Sequence, residues 1–130
     1  MKVVNIEINK IKQHEAISTE HMKKIKEEIS KAGIFSEPII IDEKSLVVLD
    51  GHHRLNSCRQ LGLKRIPCLL VKYLEDVRIK VKTRRQNILI NKDIVVKMGL
   101  SGHVFPYKTT KHLIPGRVKN LKIPLEELIC

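Results

Sequence analysis

The stretch DGHHR, from Asp50 to Arg54, places four polar or charged side chains around one glycine. An apolar run leads into it and an amphipathic segment leads out, so the glycine lies where a strand passes into a helix. The free backbone N–H groups and the dipole at a helix start favour an anion. Gly51 has no Cβ and lets a phosphate approach the backbone closely, while His52, His53 and Arg54 offer side-chain donors. The stretch therefore predicts a phosphate-binding turn.

Asp50 does not fit a simple phosphate site, because a carboxylate repels a phosphate unless a cation lies between them. Its presence argues for a Mg²⁺ ligand or for a catalytic acid or base. The whole stretch is then suited to a polyphosphate held together with its metal. The alternative is an ordinary Asp-Gly turn followed by two surface histidines.

Hydrophobic patterning predicts the strands that must carry this turn. The strand that ends at Leu49 pairs as a hairpin with the apolar run before it, across a turn at 43–45. A further strand follows the helix that comes after the turn. The predicted strands cover 3–8, 38–41, 46–49, 66–73 and 77–82.

Helical spacing of apolar residues predicts three helices, with a glycine after each. Ser18 or Thr19 caps the first helix, and Asn91 caps the third, which Gly99 interrupts. The stretch 103–115 shows no clear period. Together these elements indicate one small α+β domain over residues 1–130, with a mixed sheet and packed helices. The predicted helices cover 18–33, 52–62 and 91–98, with a last short helix from Pro124.

The net charge of +11 over 130 residues favours an anionic partner. Nucleic acid, nucleotides, phosphorylated metabolites and acidic membranes all fit, and charge alone does not choose among them. No apolar run approaches the ~20 residues of a membrane span, and Met1 is not followed by a signal peptide. We therefore expect a cytoplasmic protein with no membrane partner.

The three cysteines are irregularly spaced and include no CxxC pair. Neither a zinc site nor a disulfide framework is indicated. We expect Cys58, Cys68 and Cys130 to be small buried or terminal thiols.

The segment from Pro38 to Tyr73, PIIIDEKSLVVLDGHHRLNSCRQLGLKRIPCLLVKY, resembles the ParB/sulfiredoxin superfamily, whose phosphate-binding box lies at this point, before a helix. Sulfiredoxin carries its catalytic cysteine in that box, where this chain has His52, so a sulfiredoxin-type reductase is not expected. The DGHHR form is similar to the free serine kinases of archaea and to the related staphylococcal siderophore-pathway kinase. The resemblance implies that residues 1–73 form the nucleotide-binding core.

Two more patches are similar to those kinases. Glu15 precedes the first helix, where the kinases have their catalytic glutamate, and the segment 103–115 contains KTTKH, which is similar to their serine-binding segment. Two hydroxyls and nearby basic groups suit a small zwitterion. The resemblance thus implies Glu15 as general base, and Asp50, from the chemistry of the turn, is the second catalytic candidate. It implies that the serine or phosphoserine is bound by Thr109, Thr110, Lys111 and His112.

The implied activity is transfer of a phosphoryl group from ADP or ATP, with Mg²⁺, to free L-serine, giving O-phosphoserine for cysteine synthesis. Known members of the family are longer, so residues 74–102 are expected to leave an open pocket or one completed by a partner subunit. The alternative is a non-enzymatic ParB-like module that binds nucleotide or DNA. No reader helix follows the box, so we expect nucleic-acid binding to be weak and non-specific. The basic run 82–85 is a solvated face or a contact for nucleotide or nucleic acid.

Overall fold

A computed structural model describes residues 2–129 and contains a four-stranded mixed sheet in the order β1-β5-β3-β4. β1 pairs antiparallel with β5, β5 runs parallel to β3, and β3 forms an antiparallel hairpin with β4. The mixed sheet and the hairpin are confirmed. The strands are β1 (Lys2–Glu7), β2 (Ile34–Phe35), β3 (Ile39–Asp42), β4 (Val48–Asp50), β5 (Arg65–Val71), β6 (Lys80–Thr83), β7 (Thr110–Leu113) and β8 (Ile123–Pro124).

Both faces of the central sheet are covered. Ile39 and Ile41 of β3 point to one side, where they pack with apolar residues of the second helix, and Ile40 points to the other side. That second side is covered by the third helix and by a two-stranded ribbon of β6 and β7. Burial on both faces explains the continuous apolar run of β3, since a sheet with one wet face would alternate. The helices are α1 (Thr19–Ala32), α2 (His52–Gln60) and α3 (Lys92–Ser101), and 3-10 turns cover Ile8–Lys10 and Leu125–Leu128.

The predicted helix caps are confirmed. The Ser18 hydroxyl accepts from the backbone N–H of His21, and the side chain of Asn91 accepts from the backbone N–H of Ile94. Gly33 ends α1 with φ 68°, a left-handed conformation that glycine adopts without strain. The caps fix the start of α1 directly behind the segment that holds Glu15.

Three predictions about the second half of the chain are wrong in detail. Residues 77–78 form a turn, and the strand begins at Lys80. α3 continues through Gly99 to Ser101. A Cβ at Gly99 would lie 2.6 Å from Val47 Cγ2, so the glycine lets the helix pack closely against Val47. The stretch 103–115 contains the strand β7, whose burial alternates, but its more buried residues are the polar Thr110 and His112, so hydrophobic patterning does not reveal the strand.

Cys58 and Cys68 are buried in the core, as predicted, and burial raises the pKa of each thiol to about 12. Cys130 lies outside the described residues. None of the helices between residues 2 and 129 is both long and apolar enough to cross a bilayer.

Candidate functional site

A polar cavity of about 450 Å³ lies over the start of α2 and brings together residues from distant parts of the sequence. Its wall includes the Asp50–Arg54 turn, the connector before α1, and β7 with the loop before it. Two carboxylates, Glu15 and Asp50, face a larger set of cations. The basic side chains that line the cavity are Arg54, Arg84, Lys108, Lys111 and Arg117.

Gly51 is required at the turn for two reasons. Its φ is 107°, which L-residues rarely adopt, and a Cβ there would lie 2.5 Å from Ile39 Cγ2. α2 begins immediately afterwards, so the N–H groups of its first turn have no carbonyl one turn earlier to bind. The strand-to-helix turn predicted from the sequence is present, and its geometry is that of a helix N-terminus open to an anion.

The Nε2 atoms of His52 and His53 accept hydrogen bonds from the backbone of the connector before α1. His52 Nε2 accepts from the backbone N–H of His14 at 3.2 Å, and His53 Nε2 accepts from that of Ser18 at 3.0 Å. Each ring is therefore neutral, with its hydrogen on Nδ1. Burial lowers the pKa of both imidazoles, that of His52 well below its usual range. Their contribution to an anion site is at most a neutral N–H, with no positive charge.

Arg54 and Arg117 both pair with Asp50. Arg54 Nη1 donates to the carbonyls of Glu37 and Pro38 at 2.9 Å each, and its Nη2 lies 3.5 Å from Asp50 Oδ2. Arg117 Nη1 donates to the same Oδ2. Burial acts to raise the pKa of Asp50, but the Arg117 hydrogen bond and the charge of Arg54 outweigh it and lower the pKa overall. Asp50 is therefore ionised at neutral pH.

Glu15 is anchored by the segment that contains KTTKH. Its Oε1 accepts from the backbone N–H of Thr109 at 3.1 Å, from that of Thr110 at 2.7 Å and from the Thr110 hydroxyl at 2.8 Å. No buried side-chain oxygen among residues 2–129 lacks a partner, and Oε2 has no protein partner there, so Oε2 must reach the cavity. The arrangement fixes the carboxylate and leaves one oxygen for a ligand.

His14 is fully buried, although its place in a polar connector gives no sign of this in the sequence. Its Nδ1 lies 2.7 Å from the Val48 carbonyl oxygen and its Nε2 lies 3.0 Å from the Thr110 hydroxyl. Burial lowers the pKa of His14, although the Val48 hydrogen bond and the charge of Glu15 oppose the shift. The side chain joins β4, the Glu15 connector and β7.

The KTTKH residues differ in what they present to the cavity. The Thr109 hydroxyl is buried and donates to the Pro106 carbonyl, so this residue contributes its backbone N–H to Glu15. Lys111 is exposed at the cavity wall. His112 Nε2 lies 2.8 Å from the Tyr73 hydroxyl, and burial lowers the pKa of His112 to about 3.

Sequence patterns alone do not identify Arg117 or Tyr107 as cavity residues. Arg117 follows Gly116, which has φ 72°, in an irregular loop where no periodicity signals its direction. Arg84 belongs to the basic run 82–85, and its position at the cavity wall favours the ligand-contact interpretation of that run. The only signal in the sequence for the two arginines was an excess of positive charge, and Tyr107 had none.

Comparison with known proteins identifies related sequences over the first two thirds of the chain. Residues 1–87 match the model of the ParB N-terminal domain. The ATP-dependent L-serine kinase of Staphylothermus marinus is 35% identical over 85 residues, 62% of this chain and 33% of that protein. The ADP-dependent L-serine kinase of Thermococcus kodakarensis is 33% identical over 84 residues, 62% of this chain and 34% of that protein. This chain thus covers a third of the length of these curated relatives.

The fold also matches solved structures. A free serine kinase in complex with AMP superposes with a TM-score of 0.87 at 18% identity, covering 97% of this chain and 93% of that one. The overlap includes the region after β5 as well as the ParB-like part. The predicted fold class, a small mixed α+β domain, is confirmed.

Proposed function

The chain belongs to the ParB N-terminal domain family, as its resemblance predicts, and on this premise we propose that it is a kinase for a free hydroxy-amino acid. The donor is ADP or ATP, the acceptor is L-serine and the product is O-phosphoserine. The serine kinases that are 35% and 33% identical to this chain over 85 and 84 residues support the proposal. The cavity geometry supports it independently.

The observation that carries the proposal is that Glu15 Oε2 and the N-terminus of α2 share one cavity. Phosphoryl transfer depends mainly on holding the phosphate and the acceptor in line and on stabilising charge. A helix N-terminus holds the phosphate, and a carboxylate oxygen without a protein partner accepts the acceptor's proton. Since Oε1 is held by three donors, the position of Oε2 is fixed without contact from the substrate.

The nucleotide phosphates bind the backbone N–H groups of Gly51 to His53. Arg54, at the end of the same turn, supplies positive charge from the cavity wall. Asp50 fits a Mg²⁺ ion, because both arginines bind Oδ2 and Oδ1 has no partner among residues 2–129. Mg²⁺ commonly uses one or two carboxylates together with substrate phosphates. The ion would neutralise phosphate charge, and Asp50 would be its protein ligand.

The amino acid binds on the β7 side of the cavity. Lys111 offers a cation to its carboxylate or to the product phosphate, and His112 offers a neutral ring whose Nε2 is occupied by Tyr73. Thr109 and Thr110 act through Glu15 in this proposal, because their N–H groups hold its carboxylate. Arg84 adds a second cation on the same side.

The test is incubation with ADP or ATP, Mg²⁺ and L-serine, L-threonine or L-homoserine, with the products identified by mass spectrometry. We expect phosphoserine with one of the two donors and its loss when Mg²⁺ is chelated. Threonine and homoserine report whether the acceptor is serine alone. Nucleotide binding measured by calorimetry, with no phosphorylated product from any acceptor, would contradict the proposal.

That contrary result would favour the alternative of a non-enzymatic nucleotide- or DNA-binding module. One observation supports this alternative. Exposed Lys82 and Lys111 lie directly opposite each other on the β6–β7 ribbon, where two like charges are unfavourable unless an anion binds between them. Duplex DNA affinity is expected to be weak and to fall steeply with salt, as for counterion release alone. A tight, sequence-selective shift at physiological salt would promote the alternative.

A further inference from the structure

The buried side of the cavity contains a hydrogen-bond network that is short of one hydrogen. His14 Nδ1 lies 2.7 Å from the Val48 carbonyl oxygen, which can only accept, so Nδ1 carries the ring hydrogen. In the neutral ring, Nε2 is then an acceptor. It lies 3.0 Å from the Thr110 hydroxyl oxygen, which is its hydrogen-bond partner.

The same hydroxyl faces a second acceptor. Thr110 Oγ1 lies 2.8 Å from Glu15 Oε1, and an ionised carboxylate accepts only. One hydroxyl hydrogen cannot serve His14 and Glu15 together. If the hydroxyl donates to Glu15, His14 Nε2 has no donor, and full burial keeps water from it. If it donates to His14, Glu15 Oε1 keeps its two backbone donors but faces the hydroxyl oxygen at 2.8 Å without a hydrogen between them. Either hydrogen bond can form, but both cannot form at once.

We infer that Thr110 is a positioning residue that shares its hydroxyl hydrogen between His14 and Glu15, so that the three residues accept as a unit the proton that the substrate releases. The inference rests on the proposed function. It assigns Thr110 to the base and not to contact with serine. The bonding requirement that motivates it comes from His14, which precedes Glu15 in the same connector.

The proton balance supports this role. As the serine oxygen bonds to phosphorus and the bond from phosphorus to the leaving nucleotide breaks, the serine O–H proton passes to Glu15. The proton arrives on Oε2, the oxygen that faces the cavity, and Oε1 becomes a neutral carbonyl oxygen that two backbone N–H groups still hold. The Thr110 hydroxyl then turns to donate to His14 Nε2, so the buried acceptor gains its hydrogen. The proton stays on Glu15, and the net charge of the three residues becomes zero.

Kinetics separate this role from simple packing. Thr110→Val keeps the branched shape and removes the hydroxyl, and we expect kcat to fall about 10- to 100-fold with nucleotide KM unchanged, since only the transition state gains the completed network. Thr110→Ser should restore most of the activity. Thr19→Val is the matched control, because Thr19 is exposed at the start of α1 and does not line the cavity. The inference would be overturned if Thr110→Val kept the wild-type kcat, or if Thr110→Ser were as slow as Thr110→Val.

A second measurement does not depend on kinase activity. The ¹⁵N resonance of His14 Nε2, assigned by its loss in His14→Asn, reports how strongly that atom accepts. Glu15→Ala frees the hydroxyl for His14, whereas Thr110→Val removes it, and the wild-type shift should lie between these two limits. A wild-type shift equal to that of Thr110→Val would overturn the sharing even if the protein proved to be a serine kinase. An intermediate shift in a protein without kinase activity would support the network and reject the proposed function separately.

Discussion

Glu15 Oε1 lies 2.7 Å from the backbone nitrogen of Thr110, a residue 95 positions further along the chain. Glu15 lies in a short connector ahead of α1, where a carboxylate usually has little effect on stability. The contact instead makes it the anchor for the start of β7. A substitution at Glu15 will therefore report on both chemistry and folding.

Glu15→Gln should lower turnover by roughly 10²–10⁴, because the amide cannot accept the substrate proton. Nucleotide affinity should stay near that of the wild type. The melting temperature should fall by a few degrees, since a neutral acceptor replaces a charged one under three donors. Glu20→Gln, on the exposed first turn of α1, is the control. If Glu15→Gln kept most of its activity, Asp50 would become the candidate base.

Gly51→Ala should destabilise the protein by about 2–5 kcal/mol, from a left-handed φ and from overlap with Ile39. Gly62→Ala is a matched control, since Gly62 also has positive φ but a Cβ there would have no atom within 4 Å. The control should lose only about 1–2 kcal/mol. Urea unfolding measures both variants, and equal losses would exclude a steric role for Ile39.

Arg54→Ala should weaken nucleotide binding by about 1.5–3 kcal/mol, as for loss of a charge-assisted hydrogen bond. It should also lower stability, because the carbonyls of Glu37 and Pro38 lose a donor. Arg59→Ala removes an exposed arginine from the same helix and should leave nucleotide binding unchanged. Calorimetry with ADP and ATP makes the comparison, and equal affinity for wild type and a folded Arg54→Ala would remove Arg54 from the site.

Stability should fall on acidification from pH 6.5. An unfolded histidine titrates near 6.5, whereas the pKa of His112 is about 3 in the folded protein, so between these values the unfolded state binds the extra proton. The slope is about 1.4 kcal/mol per pH unit for each such histidine. Because the pKa of Asp50 is lowered in the folded protein, this residue causes a further loss of stability only as the pH falls below about 4, the usual aspartate range.

Urea unfolding at pH 7.5 and pH 5 tests this directly. His112→Gln should reduce the slope of the unfolding free energy against pH by the contribution of about one proton, about 1.4 kcal/mol per pH unit. A free energy of unfolding that is the same at both pH values would show that the buried histidines titrate normally in the folded protein.

The sequence predicts the parts of this protein that depend on local pattern. The Ser18 and Asn91 caps follow from short-range backbone chemistry, and the turn at Gly51 follows from an apolar run that meets a helical period. The limit appears where a residue's role depends on a distant partner. His14 looks like a solvent residue until β4 and β7 enclose it, and Arg117 has no local pattern that directs it to Asp50.

The separation between Glu15 and its donors also orders the events of folding. All four strands of the central sheet lie within residues 2–71, so this sheet can form without the rest of the chain. Glu15 and Asp50 receive Thr110 and Arg117 only from the last quarter of the chain, and closing so long a loop carries an entropic cost. During synthesis, the scaffold can therefore form early, while both carboxylates gain their final partners only when residue 117 has emerged.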